Sequence, residues 1–512
     1  MDYPRSYNAA IDFVDRIVDI GLGDKVAFID TERSITYSKL KGATDRMGQL
    51  LGAHGIGRED RIAMIVLDTI DFPTIFWGAI KAGVSPVAIN TLLTTEQYKY
   101  MLADSRARVL FISAALLPAV EPILEDLPAL EKIFVIGEGP AGHGDFRAEL
   151  AKHPDVSAPA QTCADEVAFW LYSSGSTGDP KGVKHIQTSL METARLYGQG
   201  VLGIAADDVV YSAAKLFFAY GLGNGMSFPM SVGATTILLP DRPTPAAVFA
   251  ILAKHQPTIY YGVPTLYAAI LADDSCTPEN GSKRLRLCVS AGEALPKELG
   301  TAWKAKFGVD ILDGVGSTEM LHIYLSNVPN EVSYGFSGRP VPGYDVRLVD
   351  EQGAGVDTGE IGELLVRGPS AADGYWNQRH KSRSTFEGEW TRTGDQYSRD
   401  ERGIFLYCGR ADDMFKVSGI WVSPFEVESA LISHESVLEA AVVPAEDDEG
   451  LLKPKAFIIL KDGHDPASLT KPLQDHVKQE VGKWKYPRWI EYVDSLPKTA
   501  TGKIQRFKLR DI

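Results

Sequence analysis

The sequence predicts an α/β protein: a large N-terminal domain of α/β subdomains with a β-rich subdomain at its end, followed by a small α+β C-terminal domain. Three observations carry this. Short apolar runs alternate with amphipathic stretches, the pattern of strands and helices packed in layers. Three of those runs empty into loops of small and polar residues, as strands of an open sheet do at the edge where ligands collect. The chain has 512 residues, more than one ordinary hydrophobic core accommodates.

Taken in order, residues 167–172 (VAFWLY) read as a buried strand ending in a Ser/Thr/Gly loop. Residues 286–290 (RLCVS) read as a second strand, ending in Ala291-Gly292-Glu293. Residues 310–312 (DIL) read as a third, ending in the loop Asp313-Gly314-Val315-Gly316-Ser317-Thr318-Glu319. Between them, Thr244-Pro245 places a cap and a first-turn proline ahead of an apolar run, which predicts a helix. Residues 362–367, 388–390 and 403–407 read as strands and turns of the β-rich part. A boundary follows near 409, dividing 1–409 from 410–512. Beyond it Ser423-Pro-Phe-Glu426 reads as a capping box opening a helix, and residues 439–443 (EAAVV) as a strand. The join, residues 409–419, concentrates charge, as a rotatable connection to a mobile domain requires.

Bulk properties exclude several classes. Hydrophobic and charged fractions of 45% and 23% are those of a globular protein. No stretch reaches the ~18 uncharged apolar residues of a membrane span; the run from Ile75 is interrupted by Lys81. The N-terminus shows no signal-peptide pattern, so cytoplasm is the expected location. Cys163, Cys276, Cys288 and Cys408 lack metal or disulfide spacing and are expected to be reduced packing residues. A net charge of -15 argues against nucleic-acid partners. From Lys478 onward, however, nine Lys or Arg stand against four Asp or Glu. That is either a solvated helix face and tail or a surface that meets polyphosphate.

The loop Tyr172-Ser173-Ser174-Gly175-Ser176-Thr177-Gly178-Asp179-Pro180-Lys181-Gly182-Val183 carries the first chemistry. Its glycines let the backbone approach an anion, four hydroxyls can donate to phosphate oxygens, and Lys181 adds charge. Asp179-Pro180 separates Gly178 from Lys181, so this is not a Walker loop. A Ser/Thr/Gly run by itself is more often a flexible linker.

That loop closely resembles the phosphate-loop signature of the adenylate-forming superfamily, which comprises acyl- and aryl-CoA ligases, luciferases and peptide-synthetase adenylation domains. Further signatures follow in the same order: Ala291-Gly292-Glu293, Gly316-Ser317-Thr318-Glu319, Thr393-Gly394-Asp395, Gly409-Arg410 with Asp412-Asp413, and residues 497–503 (PKTATGK). The resemblance implies roles residue by residue. Thr318 holds the α-phosphate and Glu319 a magnesium ion, a hard cation suited to oxygen ligands. Asp395 accepts the ribose hydroxyls, with Arg410 as a cation toward ribose and phosphate. The segments 291–293 and 313–315 form the walls of the adenine slot, aliphatic at Val315 where many relatives carry an aromatic residue. Lys503 stabilises the charge that develops as a carboxylate attacks the α-phosphate. Asp412 is the hinge about which the small domain turns before the thiol step. Ser418 and Gly419 line the pantetheine path, and Lys485 and Arg488 are candidates for the CoA phosphates.

The substrate reading starts from residues 215–224 (KLFFAYGLGN). Ala219 and Tyr220 stand where peptide-synthetase domains place the aspartate that pairs with an amino group, which disfavours amino acids. Phe218, Ala219, Tyr220, Gly316, His322 and Ile323 suit a flat aromatic acid, and residues 213–224, 316–323 and 416–424 closely resemble benzoate-CoA ligases. The resemblance therefore implies ATP, magnesium and CoA acting on benzoate or a near relative such as 4-hydroxybenzoate. Another acid class, or transfer of the adenylate to a carrier protein, is the alternative. His322 is left open between bonding a ring hydroxyl and packing against a bare ring, and a homo-oligomer is neither required nor excluded.

Overall fold

The computed structural model describes residues 3–140, 142–173, 179–417, 420–447, 451–498 and 504–510. Among these, two large sheets form the bulk of the N-terminal region. One has nine strands in the order Arg339–Pro340, Ile323–Ser326, Ile311–Gly316, Leu287–Ser290, Ile259–Gly262, Val209–Ser212, Thr235–Ile237, Val26–Ile29 and Ser34–Thr36. Its central pairs are parallel, with Tyr260 opposite Cys288 and Cys288 opposite Ile311. Helices such as Pro245–His255, capped by Thr244, and Lys297–Phe307 make the crossovers. The other large sheet has eight strands: Gly374–Tyr375, Lys181–Ile186, Val167–Ser173, Ser85–Ala88, Arg61–Ile65, Val109–Ser113, Lys132–Ile136 and Gly144–Asp145.

The helix Asp71–Lys81 is buried at every residue, which accounts for a sequence apolar nearly all round. Lys81, at its end, is buried too. Its ammonium lies 2.7 Å from Asp15 and 2.6 Å from Asp45, and buried charge requires such partners. Among the described residues no helix is long and apolar enough to cross a membrane.

The β-rich part is an antiparallel sheet in which Asp345–Val349, Gly362–Arg367, Trp390–Arg399 and Phe386–Glu387 neighbour one another in that order, and Phe405–Arg410 flanks Trp390–Arg399. The C-terminal domain pairs Phe415–Val417 with Ile420–Val422. It packs helices Pro424–Ile432 and Pro466–Glu480 on a sheet of Val437–Glu446, Leu452–Leu460 and Trp489–Tyr492. Phe415, Val427, Leu431, Val442, Ile458 and Leu473 build its own core.

Two local expectations are corrected. The segment Asp313-Gly314-Val315-Gly316 is strand rather than loop. Strand Ile311–Gly316 continues through it because Gly314 pairs with Ser326 and Gly316 with Ile323. The capping box at Ser423 is half made. The Ser423 hydroxyl accepts the Glu426 N–H at 3.1 Å, whereas the Glu426 carboxylate receives the Lys485 ammonium at 2.6 and 2.8 Å.

Candidate active site

Strands Val167–Ser173 and Lys181–Ile186 are antiparallel, with Ser173 opposite Lys181. They form the two stems of the phosphate-loop candidate. Ser174, Gly175, Ser176, Thr177 and Gly178 lie outside the described residues. Below the loop, the Tyr172 hydroxyl donates to Asp104 Oδ2 at 2.7 Å, anchoring the incoming stem. On the outgoing side the short strand Gly374–Tyr375 adds to Lys181–Ile186, placing Tyr375 opposite Val183. The Lys181 ammonium sits 4.8 Å from the centre of the Tyr375 ring, and the Tyr375 hydroxyl donates to Glu319 Oε1 at 2.9 Å. Burial lowers the Lys181 pKa, and the Glu319 carboxylate partly offsets this.

His185, on the same strand as Lys181, bonds through Nε2 to the Thr318 carbonyl at 2.9 Å. Burial pushes its pKa down to about 4. The ring is therefore neutral near pH 7, and since a carbonyl only accepts, Nε2 carries the proton. Thr318 and Glu319 are thus held from below by His185 and Tyr375, neither of which announced itself in the sequence.

The adenine-slot candidates lie on neighbouring strands. Ser290, the last residue of Leu287–Ser290, is opposite Asp313, so Ala291, Gly292 and Glu293 leave the sheet beside Asp313, Gly314 and Val315. Asp313 is buried. Desolvation raises its pKa well above the carboxylate range, opposed by N–H groups of Leu295 and Gly314, and its Oδ1 has no hydrogen-bond partner among the described residues.

Asp395 and Arg410 are direct cross-strand partners. Arg410 Nη1 lies 3.0 Å from Asp395 Oδ1 and 2.8 Å from the Thr393 carbonyl. Gly394, between them, has a φ of +71°, and a Cβ there would stand 2.7 Å from Arg410 Nη2. The Thr-Gly-Asp motif thus needs its glycine both for backbone conformation and to admit the guanidinium.

The ring-acid candidates gather around His322, which is buried. Its Nε2 lies 3.2 Å from the Tyr220 carbonyl and 3.2 Å from Asn224 Oδ1, and its ring packs edge-on to Phe228 at 4.5 Å. Gly223 leaves room for it, since a Cβ there would come within 2.4 Å of the imidazole. Burial lowers the His322 pKa to about 3. The neutral ring donates from Nε2, leaving Nδ1 as a bare acceptor with no partner among the described residues. The Tyr220 hydroxyl is spent on the carbonyls of Gly262 and Val289, at 3.2 and 3.1 Å, so Tyr220 offers ring and backbone here. Ile323 pairs with Gly316, Phe218 packs on Phe217 at 4.3 Å, and Ala219 opens the turn Ala219–Leu222. Asp68, missed in the sequence, accepts the Leu216 N–H at 3.2 Å and so pins this segment.

Among the described residues no cluster of three or more His, Cys, Asp or Glu forms a metal cage. Glu319 stands as a single carboxylate, one oxygen bonded to Tyr375. That donor set fits magnesium, which is held through one or two carboxylates with water and substrate phosphates completing its shell.

At the join, Arg510 Nη2 lies 3.1 Å from the Asp412 carbonyl and 2.6 Å from Asp413 Oδ1. Lys498 and Ile504 form a bridge across a segment whose Lys503 lies outside the described residues, as do Ser418 and Gly419. Lys485 is paired with Glu426, and the Arg488 guanidinium lies 3.9 Å from the centre of the Tyr486 ring. The basic tail is in large part internally neutralised: Lys478 pairs with Asp475 and Lys498 with Glu439.

This arrangement is that of an adenylate-forming ligase: residues 21–376 match the AMP-binding enzyme family and residues 426–503 the AMP-binding enzyme C-terminal domain, and the chain belongs to that family. It is 57% identical over 510 residues to a benzoate–CoA ligase of Thauera aromatica, covering 99% of this chain and 96% of the relative. Against a 4-hydroxybenzoate–CoA/benzoate–CoA ligase of Rhodopseudomonas palustris it is 56% identical over 510 residues, 99% of this chain and 94% of the relative. The crystal structure of an anthranilate CoA ligase in complex with anthranoyl-AMP superposes with a TM-score of 0.95 at 43% identity, covering 100% of this chain and 98% of that one.

Proposed function

We propose that this protein is an ATP- and magnesium-dependent aryl-CoA ligase. It converts benzoate, or a closely related ring acid such as 4-hydroxybenzoate, with ATP and CoA to aroyl-CoA, AMP and diphosphate through an aroyl-adenylate. The observation that carries this reading is strand Ile311–Gly316. It bears Asp313 beside the 291–293 segment and ends at Gly316, paired with Ile323 next to His322. Groups suited to adenine and to a ring acid therefore share one strand, as joining the two substrates requires.

In the first step a carboxylate oxygen of the acid attacks the α-phosphorus, and the bond from that phosphorus to diphosphate breaks. Asp395 and Arg410 hold the ribose, Thr318 the α-phosphate, and Ser173, Lys181 and the 174–178 loop the departing diphosphate. Lys503 offsets the charge that builds between two anions. Glu319 would hold magnesium, which would supply charge neutralisation to the phosphate oxygens. In the second step the 410–512 domain turns about Asp412, the CoA thiol loses its proton to solvent as its sulfur bonds to the acyl carbon, and AMP leaves with the electron pair of the acyl–oxygen bond. Ser418 and Gly419 line the thiol's path. Arg488 and Lys485 meet the CoA phosphates, Lys485 exchanging Glu426 for a phosphate oxygen. We place the reaction in the cytoplasm.

The test is AMP release with ATP and magnesium over a panel of ring acids, with and without CoA. CoA-dependent release with benzoate is expected; release that needs a carrier protein, or none at all, overturns the reading. Turnover of 4-hydroxybenzoate, lost on His322→Leu by ~10-fold while benzoate is retained, is the result expected if Nδ1 accepts the ring hydroxyl.

A further inference from the structure

We infer that Tyr375 is a positioning residue for adenylate formation, its hydroxyl orienting the Glu319 carboxylate while its ring seats the Lys181 ammonium. The inference rests on the ATP site proposed above. Glu319 and Lys181 arrive from different sheets, Glu319 from the turn after Ile311–Gly316 and Lys181 from the stem after the phosphate loop. One side chain touches both, with its hydroxyl 2.9 Å from Glu319 Oε1 and its ring centre 4.8 Å from Lys181 Nζ.

The ring itself is fixed. It is 6% exposed, lies against Phe386 with centroids 5.4 Å apart, and packs with Val183 and Ala372. Its backbone N–H donates to the Ser382 hydroxyl at 3.0 Å. Three residues earlier, the Ala372 N–H donates to the Glu319 carbonyl at 2.8 Å, so the same segment holds Glu319 by backbone and by side chain. A hydroxyl bonded to one carboxylate oxygen sets the carboxylate's rotation and leaves the other oxygen for a cation, the single-oxygen contact that octahedral magnesium favours. The electron-rich ring face holds an ammonium without neutralising it, as a carboxylate would. Lys181 therefore keeps its charge for phosphate at a fixed distance from the cation-holding group. A tyrosine needed only for packing would have no use for the hydroxyl.

The experiment compares Tyr375→Phe, Tyr375→Leu and Glu319→Gln in the full-length protein. Manganese is titrated in the presence of a non-hydrolysable ATP analogue and free Mn2+ is read by electron paramagnetic resonance; analogue binding without metal is measured by calorimetry. Tyr375→Phe is expected to weaken manganese binding by ~10-fold and leave metal-free nucleotide binding unchanged. Tyr375→Leu is expected to weaken metal-free binding as well, by ~5-fold, through loss of the ring beneath Lys181. A native circular-dichroism spectrum and a cooperative urea transition in both variants exclude misfolding as the cause. Manganese affinity unchanged in Tyr375→Phe but weakened in Glu319→Gln overturns the role of Tyr375. Affinity unchanged in Glu319→Gln overturns the underlying site.

Discussion

Arg506 grips Glu428 at two points, Nε to Oε1 at 2.9 Å and Nη2 to Oε2 at 2.6 Å. Glu428 Oε1 also accepts the Val442 N–H at 2.8 Å. Arg506 further lies 3.5 Å from Asp413 Oδ2, and Arg510 pairs with the same carboxylate. The end of the chain is thereby tied at once to helix Pro424–Ile432 and to the join between domains.

Breaking that grip should unfold the small domain selectively. Glu428→Ala takes the two-point partner from a largely buried guanidinium, leaving it only the 3.5 Å contact with Asp413, and takes the acceptor from the Val442 N–H, which together cost about 3 kcal/mol. In urea the C-terminal transition is expected to move to lower concentration while that of the N-terminal domain stays in place. A variant whose two transitions match the parent protein would show that the pair contributes nothing.

Lys503→Ala separates the half-reactions. Loss of the cation proposed to offset the charge between acid and α-phosphate is expected to slow acyl-adenylate formation by ~10²-fold or more and largely spare thioester formation from supplied adenylate. Equal loss of both steps in single-turnover assays would remove Lys503 from the first step.

The Asp395–Arg410 pair makes a prediction about ATP. Asp395→Asn removes the charged acceptor opposite Arg410, and kcat/KM for ATP is expected to fall ~10- to 100-fold with little change in KM for the acid. Gly394→Ala, which drives a methyl group against the guanidinium, should produce the same pattern. A loss confined to the acid's KM would place the pair elsewhere in the reaction.

His185 and His322 predict the direction of acid sensitivity. Burial lowers their pKa values from 6.5 to about 4 and about 3. Below pH 6.5 the unfolded chain gains protons that the folded one refuses. Stability is therefore complete above that pH and falls toward pH 4, each ring adding about 1.4 kcal/mol per pH unit to the slope. Urea denaturation between pH 7 and 4.5 is expected to show this, with a shallower slope in His185→Gln. An identical slope in that variant would mean that His185 is not held neutral.

Much of the candidate site was legible because its chemistry demands particular residue types at short spacing. Thr318-Glu319, Thr393-Gly394-Asp395 and Gly409-Arg410 are such cases, each contained in one turn or strand end. Tyr375 and His185 were not legible, because nothing near either residue signals a ligand. Tyr375 lies 56 residues from Glu319 and meets it only through an added edge strand. The run Asp313-Gly314-Val315-Gly316 reads as loop because glycine is a poor strand former; its pairing with Ile323–Ser326 overrides that preference. The basic tail reads either as a solvated face and tail or as a polyphosphate surface; only the fold supplies the acidic partners of Lys478, Lys485, Lys498, Arg506 and Arg510.

The sequence by itself determined the α/β class, the large and small domains, and the residue types offered to nucleotide and ring acid, because periodicity and motif spacing are local properties of a chain. Only the tertiary structure decided what holds those groups in place. Tyr375 beneath Lys181 and against Glu319, His185 under Thr318, Asp68 pinning the 216–220 segment and Arg506 on Glu428 all depend on strand register and on which faces are buried together. Those relationships join residues far apart in sequence, and packing establishes them.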